Sequence, residues 1–128
     1  MPKASRWFLP LVVSVVALAA CAEETPQETL EFTPASVSGD IPCEFDKSLA
    51  VCRNCHGSPL KSGAPFPLLR LGDIRGSYNG KTVAERAASA LTTRFMPQPP
   101  YDKELTDDQR ARLTSWFQMG APLGMRCN

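Results

Sequence analysis

Residues 52–56 read Cys52-Arg53-Asn54-Cys55-His56. Two cysteines three apart lie on one face of a helical turn. At that spacing each sulfur can form a thioether to one vinyl group of a haem. A histidine directly after the second cysteine can then reach the iron as its proximal ligand. A zinc site and a dithiol redox motif compete with this. Zinc wants two further ligands, and the chain has no second Cys-x-x-Cys and no histidine besides His56. A thioredoxin-like motif wants a βαβ pattern beside it, and none is visible. Cys52 and Cys55 are therefore expected to carry one covalent haem c, with His56 on its iron.

The 128 residues suggest one domain. The N-terminus reads as a targeting segment. Lys3 and Arg6 make its positive start, and residues 7–17 form an apolar run interrupted by Pro10, too short for a comfortable membrane span. The run ends in Leu18-Ala19-Ala20-Cys21, which resembles a bacterial lipobox. That resemblance implies removal of residues 1–20 as a signal peptide and lipidation of Cys21. An ordinary signal peptide with an Ala-x-Ala-like cut nearby is the alternative. By analogy with lipoprotein sorting, Ala22 in place of Asp favours the outer membrane, on its periplasmic side. Each buried acyl methylene contributes about 0.8 kcal/mol, so several chains anchor lastingly. Export suits the haem, which is attached outside the cytoplasm. The formal charge is +1, and losing Lys3 and Arg6 lowers it by two, to −1. Nothing in that balance argues for a nucleic-acid partner.

Of the five cysteines, Cys21 goes to lipid and Cys52 and Cys55 to haem, which leaves Cys43 and Cys127. In an oxidising compartment these are expected to pair; two free thiols are the alternative. The closed loop would be worth on the order of 4–5 kcal/mol in the chain-entropy picture. Residues 21–42 are expected to be the lipidated cysteine and a flexible tether. They carry Glu23, Glu24, Glu28, Glu31, Pro26 and Pro34 and few large apolar residues. Leu30 and Phe32 are the side chains there able to touch the haem domain, residues 43–128.

Within that domain a first helix is expected from Cys43, after Pro42, with Glu44 and Asp46 in its first turn. Phe45, Leu49 and Cys52 share one face, and the helix stops by Gly57. Pro59, Pro65 and Pro67 keep residues 58–78 irregular. A backbone carbonyl there is expected to accept the Nδ1 proton of His56, Pro65 being the first candidate and Pro67 the second. Asn79-Gly80 marks a turn. Thr82-Val83-Ala84-Glu85 fits a capping box and opens a second helix with Val83, Ala87, Leu91 and Phe95 on one face. It must end by Met96, because Pro97 follows. Met96-Pro97-Gln98-Pro99-Pro100 is a stiff turn, one loop and one helix beyond His56. Its thioether is the expected second axial ligand, and Met119 and Met125 are weaker candidates. A third helix follows Leu105 on the box Thr106-Asp107-Asp108-Gln109. It carries Leu113, Trp116, Phe117 and Gly120 on a face expected to pack near Phe45. No strand pattern is convincing. The expected fold class is all-α: about three short helices wrapped round one covalent haem, with long irregular loops. A domain this small has a thin core, which the haem would complete.

With the haem motif, the Met96-Pro97 turn and the Leu-Thr-Asp-Asp-Gln-Arg-Ala-Arg-Leu-Thr-Ser-Trp-Phe helix placed, the chain resembles a class I cytochrome c. It is most similar to the single-haem cytochrome c lipoproteins of bacteria, over about residues 43–127. The resemblance implies a small cytochrome c-type fold, His56 and Met96 as axial ligands, thioethers from Cys52 and Cys55, and one-electron transfer. A lysine-rich docking ring is missing, so the identity of the redox partner protein does not carry over. The expected function is an electron carrier, not an enzyme, with no small-molecule substrate. A haem-based sensor or small-ligand binder is the alternative if Met96 sits off the iron. A non-catalytic redox subunit of a larger oxidoreductase is another. A haem-free, disulfide-bonded surface lipoprotein would need Cys52 paired with Cys55. A di-haem peroxidase would need a second Cys-x-x-Cys-His, and a distal histidine base is impossible with one histidine.

Overall fold

The computed structural model describes residues 31–128; the expected signal peptide and Cys21 lie outside the described residues. In chain order the elements are strand β1 (Phe32–Thr33), helix α1 (Cys43–Leu49), a 3-10 turn (Cys52–Asn54) and helix α2 (Leu71–Arg75). Strands β2 (Ser77–Tyr78) and β3 (Lys81–Thr82), helix α3 (Val83–Thr92), a second 3-10 turn (Tyr101–Lys103) and helix α4 (Asp107–Gln118) follow. The expected all-α class is thereby corrected. Four short helices and a three-stranded antiparallel sheet, ordered β1-β2-β3, make the fold mixed α and β. The picture of about three helices wrapped round a haem, a small cytochrome c-type fold, goes with it.

The sheet has a local cause and a distant one. Asn79 and Gly80 both have positive φ, 49° and 72°. A type I′ hairpin loop needs positive φ at both central residues, and Asn-Gly supplies it at least cost. The turn therefore pairs Ser77 with Thr82 and Tyr78 with Lys81. Strands of two residues show no alternation to read. The distant cause is β1, from the segment expected to be a tether: Phe32 pairs with Tyr78 and Thr33 with Ser77. Ala35 N–H donates to the Gly72 carbonyl at 2.8 Å, Phe32 packs on the core, and Ile41 is buried. The close approach depends on missing side chains. A Cβ on Gly76 would lie 2.5 Å from the Thr33 carbonyl oxygen, and one on Gly72 would lie 2.7 Å from that of Ala35. Gly76→Ala is expected to unseat β1 at a cost of about 1–3 kcal/mol, the range for overpacking. Limited proteolysis should then cut residues 31–40 faster than in wild type.

Helix α2 arises inside the stretch expected to be irregular, beyond its last proline. Asp73, almost fully buried, starts it: its Oδ2 accepts from the Leu69 and Arg70 N–H groups at 3.1 and 2.9 Å. Helix α3 opens on the expected box. Thr82 Oγ1 accepts from Glu85 N–H at 3.1 Å, and Glu85 Oε2 accepts from Thr82 N–H at 2.8 Å. Its buried face is Val83, Ala84, Ala88 and Leu91. Phe95 is not on it. Arg94 takes positive φ, 56°, after the helix ends, and Phe95 beyond it is 62% exposed. The hydrogen bonds from Thr82 hold the Glu85 carboxyl below its ordinary pKa. A depressed carboxylate stabilises the fold above the unfolded-state pKa, roughly 4.3, and that contribution is lost as pH falls through the folded-state value. Glu85→Ala should therefore lower the melting temperature at pH 7, with the gap to wild type narrowing in acid.

Helix α4 opens on Thr106, whose Oγ1 accepts from Gln109 N–H at 3.2 Å. Leu113, Trp116 and Phe117 face inward. The Phe45 ring of α1 stacks on Trp116, centroids 4.8 Å apart and planes 15° apart. Trp116 Nε1–H donates to the Pro122 carbonyl at 2.9 Å. A disulfide joins Cys43 at the head of α1 to Cys127. No helix among the described residues is long and apolar enough to cross a membrane.

Candidate functional site

The pentapeptide Cys52–His56 coils directly after α1. Cys55 N–H and His56 N–H both donate to the Cys52 carbonyl, at 3.2 and 2.9 Å. Arg53 fixes the turn to its neighbours: Nη2 pairs with the Asp46 carboxylate at 2.6 Å and Nε donates to the Leu68 carbonyl at 2.9 Å. Arg53, between the cysteines, thus anchors the turn to α1 and to the loop that follows.

His56 is buried, and its Nδ1 lies 2.8 Å from the Phe66 carbonyl. A carbonyl only accepts, so Nδ1 carries the proton and Nε2 keeps its lone pair, the form a metal binds. Leu68 N–H donates to the His56 carbonyl at 2.8 Å, so one loop holds the residue by ring and backbone. Burial pushes the His56 pKa below its ordinary value, with the Phe66 carbonyl opposing. The neutral ring is favoured. Pro65, the expected acceptor, is one residue too early; it lines the cavity as an exposed wall residue. Phe66 takes the role, and its buried ring packs beside the same histidine, with centroids 5.2 Å from His56 and 5.5 Å from Tyr78.

Cys52 and Cys55 are free thiols rather than a pair. Burial pushes the Cys52 thiol up to about 11, with Arg53 and Arg110 pulling weakly the other way. A half-buried thiol whose pKa is pushed up is the opposite of the low-pKa thiolate on which dithiol redox motifs rely. No group of three or more His, Cys, Asp or Glu side chains among the described residues is placed to hold a bare metal ion.

Both thiols, His56 and Met96 line one cavity of about 880 Å³. That lies near the top of the 300–1,000 Å³ range usual for ligand sites. Phe66, Leu68, Leu91 and Phe117 give it apolar walls. Met96 is half-buried, whereas Met119 and Met125 are 66% and 88% exposed. Two free thiols, a histidine in its ligand form and a methionine lining one largely apolar cavity are a set that would fit a covalent haem.

Two residues of the site escaped sequence reasoning. The Phe66 carbonyl sits in a loop, where no period distinguishes one residue from the next. Arg110 is nine-tenths buried, and Nη1 donates to the Met96 carbonyl at 2.6 Å. Its signal was present: the stripe through Leu113 and Phe117, extended back by three, lands on Arg110. Comparison with protein-family models, curated proteins and solved structures finds no match to this chain.

Proposed function

We propose that the chain is a single-haem c-type cytochrome: an exported, lipid-anchored electron carrier on the periplasmic side, with one covalent haem c on Cys52 and Cys55. The observation that carries this is a single cavity lined by both free thiols, Met96 and a histidine whose Nδ1 is committed to the Phe66 carbonyl. When bound, haem supplies the one-electron ferric/ferrous couple. His56 would hold the iron through Nε2, with the Phe66 carbonyl fixing ring orientation and raising the basicity of the ligand. The Met96 sulfur would be the second axial ligand, a soft one that favours the reduced state and raises the potential. Phe66, Leu68, Leu91 and Phe117 exclude water, which also favours the less charged reduced state. The chain's own work is to hold ligands and shut out solvent, and no general base is called for. Its partners are redox proteins that give and take single electrons.

Optical spectra of the exported protein, oxidised and reduced, test the assignment together with extraction in acidified organic solvent. A low-spin haem spectrum with pigment retained on the denatured chain is expected. Clean release of the colour, or unmodified sulfurs at Cys52 and Cys55 by mass analysis, overturns it. A high-spin ferric spectrum would favour a small-ligand binder instead.

A further inference from the structure

We infer that Arg110 is the positioning residue for Met96, holding that sulfur where it meets the iron; the inference rests on the proposed haem ligation. Arg110 sits in the first turn of α4 on the helix's buried stripe and is 8% exposed. A charge so buried is costly unless it is paired or hydrogen-bonded. Among the described residues, the carboxylates that form ion pairs take other arginines: Asp46 with Arg53, Asp73 with Arg70, Asp107 with Arg94 and Asp108 with Arg112. What Arg110 holds is backbone. Nη1 donates to the Met96 carbonyl at 2.6 Å and to the Leu91 carbonyl at 3.3 Å, while Nε is buried without a partner.

Those two carbonyls mark the ends of one segment. Leu91 is in the last turn of α3, where a cation is favoured; its carbonyl also accepts from Arg94 N–H at 3.2 Å, so the arginine is a second donor there, and the Met96 carbonyl is its shorter contact. Met96 follows across the exposed residues 92–95. From the other side, Met96 N–H donates to the Ala90 carbonyl at 3.2 Å. The Met96 backbone is thus gripped at both its polar groups, and the guanidinium clamps the segment shut. A methionine side chain has three rotatable bonds and fills many shapes, so the sulfur's place follows from where the backbone is set. An apolar residue on this stripe would pack α3 against α4 with less desolvation. The retained cation, with one donor unused, is accounted for by the carbonyl it holds.

The test uses the full chain, exported from a host that matures haem c. Wild type, Arg110→Met, Arg110→Lys and Leu113→Ala are compared. Leu113 is fully buried on the same helix and is not among the residues that line the cavity, so its truncation is the control for destabilisation alone. The readouts are the sulfur-to-ferric-iron charge-transfer band, the midpoint potential, carbon monoxide binding to the ferrous protein, and the melting temperature. Arg110→Met is expected to lose the band, fall in potential and bind carbon monoxide. Arg110→Lys, whose ammonium can still reach one carbonyl, is expected to keep the band. Leu113→Ala is expected to melt earlier with the band intact. Arg110→Met with an unchanged band and potential overturns the inference, and so does Leu113→Ala losing the band as fully. Should Arg110→Met fail to accumulate, Arg110→Gln reads the same way, because its amide is too short to reach the Met96 carbonyl that arginine and lysine can reach. A wild-type protein without the band sinks the ligation itself, and with it this inference; a normal wild type beside an unperturbed Arg110→Met sinks only the role of Arg110.

Discussion

Met96→Ala should lower the midpoint potential of the proposed haem and open its ferrous form to carbon monoxide. Axial ligands set haem potentials over a span of roughly 0.8 V, so loss of the thioether should shift the potential by on the order of tenths of a volt. The direction follows from sulfur's softness: it stabilises ferrous iron, and a water or an empty position does so less. The fold should survive the change. The Met96 side chain is only half-buried, and Arg110 grips the backbone carbonyl, which alanine keeps. The cost to stability is expected to be about 1–2 kcal/mol, below the 2–5 of a fully buried methionine. The substitution leaves the His56–Phe66 contact untouched. Potentiometry of the variant beside wild type checks the first claim, and carbon monoxide difference spectra check the second. A potential that does not move would remove Met96 from the iron, and the protein would then stand as a small-ligand binder.

What was legible in the chain was local chemistry. The boxes at Thr82 and Thr106 start helices because donor and acceptor lie three residues apart, a distance any window contains. Leu113, Trp116 and Phe117 show the period of α4 for the same reason, and counting cysteines isolates Cys43 and Cys127. The sheet was not legible. Asn79-Gly80 announces a turn, but the hairpin's third strand is supplied by Phe32, forty-odd residues upstream in a stretch whose composition reads as tether. Gly72 and Gly76 make room for it, and sequence shows only two glycines, not what presses on them. Within the site, Cys52, Cys55, His56 and Met96 were each singled out by motif or by neighbouring prolines, and they line one cavity. The Phe66 carbonyl and Arg110 act through backbone contacts that tertiary packing decides. Phe95 was misplaced because a four-residue period was extended past a helix that Arg94 closes.

Trp116→Ala should be the most destabilising single change in the domain. Trp116 is 1% exposed, stacks on Phe45 at 4.8 Å, lies 5.2 Å from the Phe117 ring, and donates Nε1–H to the Pro122 carbonyl. Truncating a buried tryptophan costs about 3–5 kcal/mol, and a lost hydrogen bond adds about 1. Whole domains hold only about 5–15 kcal/mol, so much of the total would go. Trp116→Phe keeps a ring against Phe45 but loses the Pro122 bond and one ring of the buried indole, so its cost should exceed the about 1 kcal/mol of the bond alone and stay below that of Trp116→Ala. Urea unfolding followed by circular dichroism measures both. The disulfide should be left intact, because Cys43 heads the same helix that Phe45 stacks from. Two restraints on one helix do not add independently. With the disulfide reduced, α1 keeps the Phe45–Trp116 stack and buried Leu49 as its holds on the core, and Trp116→Ala should then cost more than it does in the oxidised protein. Equal costs in the two states would mean that the stack and the disulfide restrain different parts of the chain.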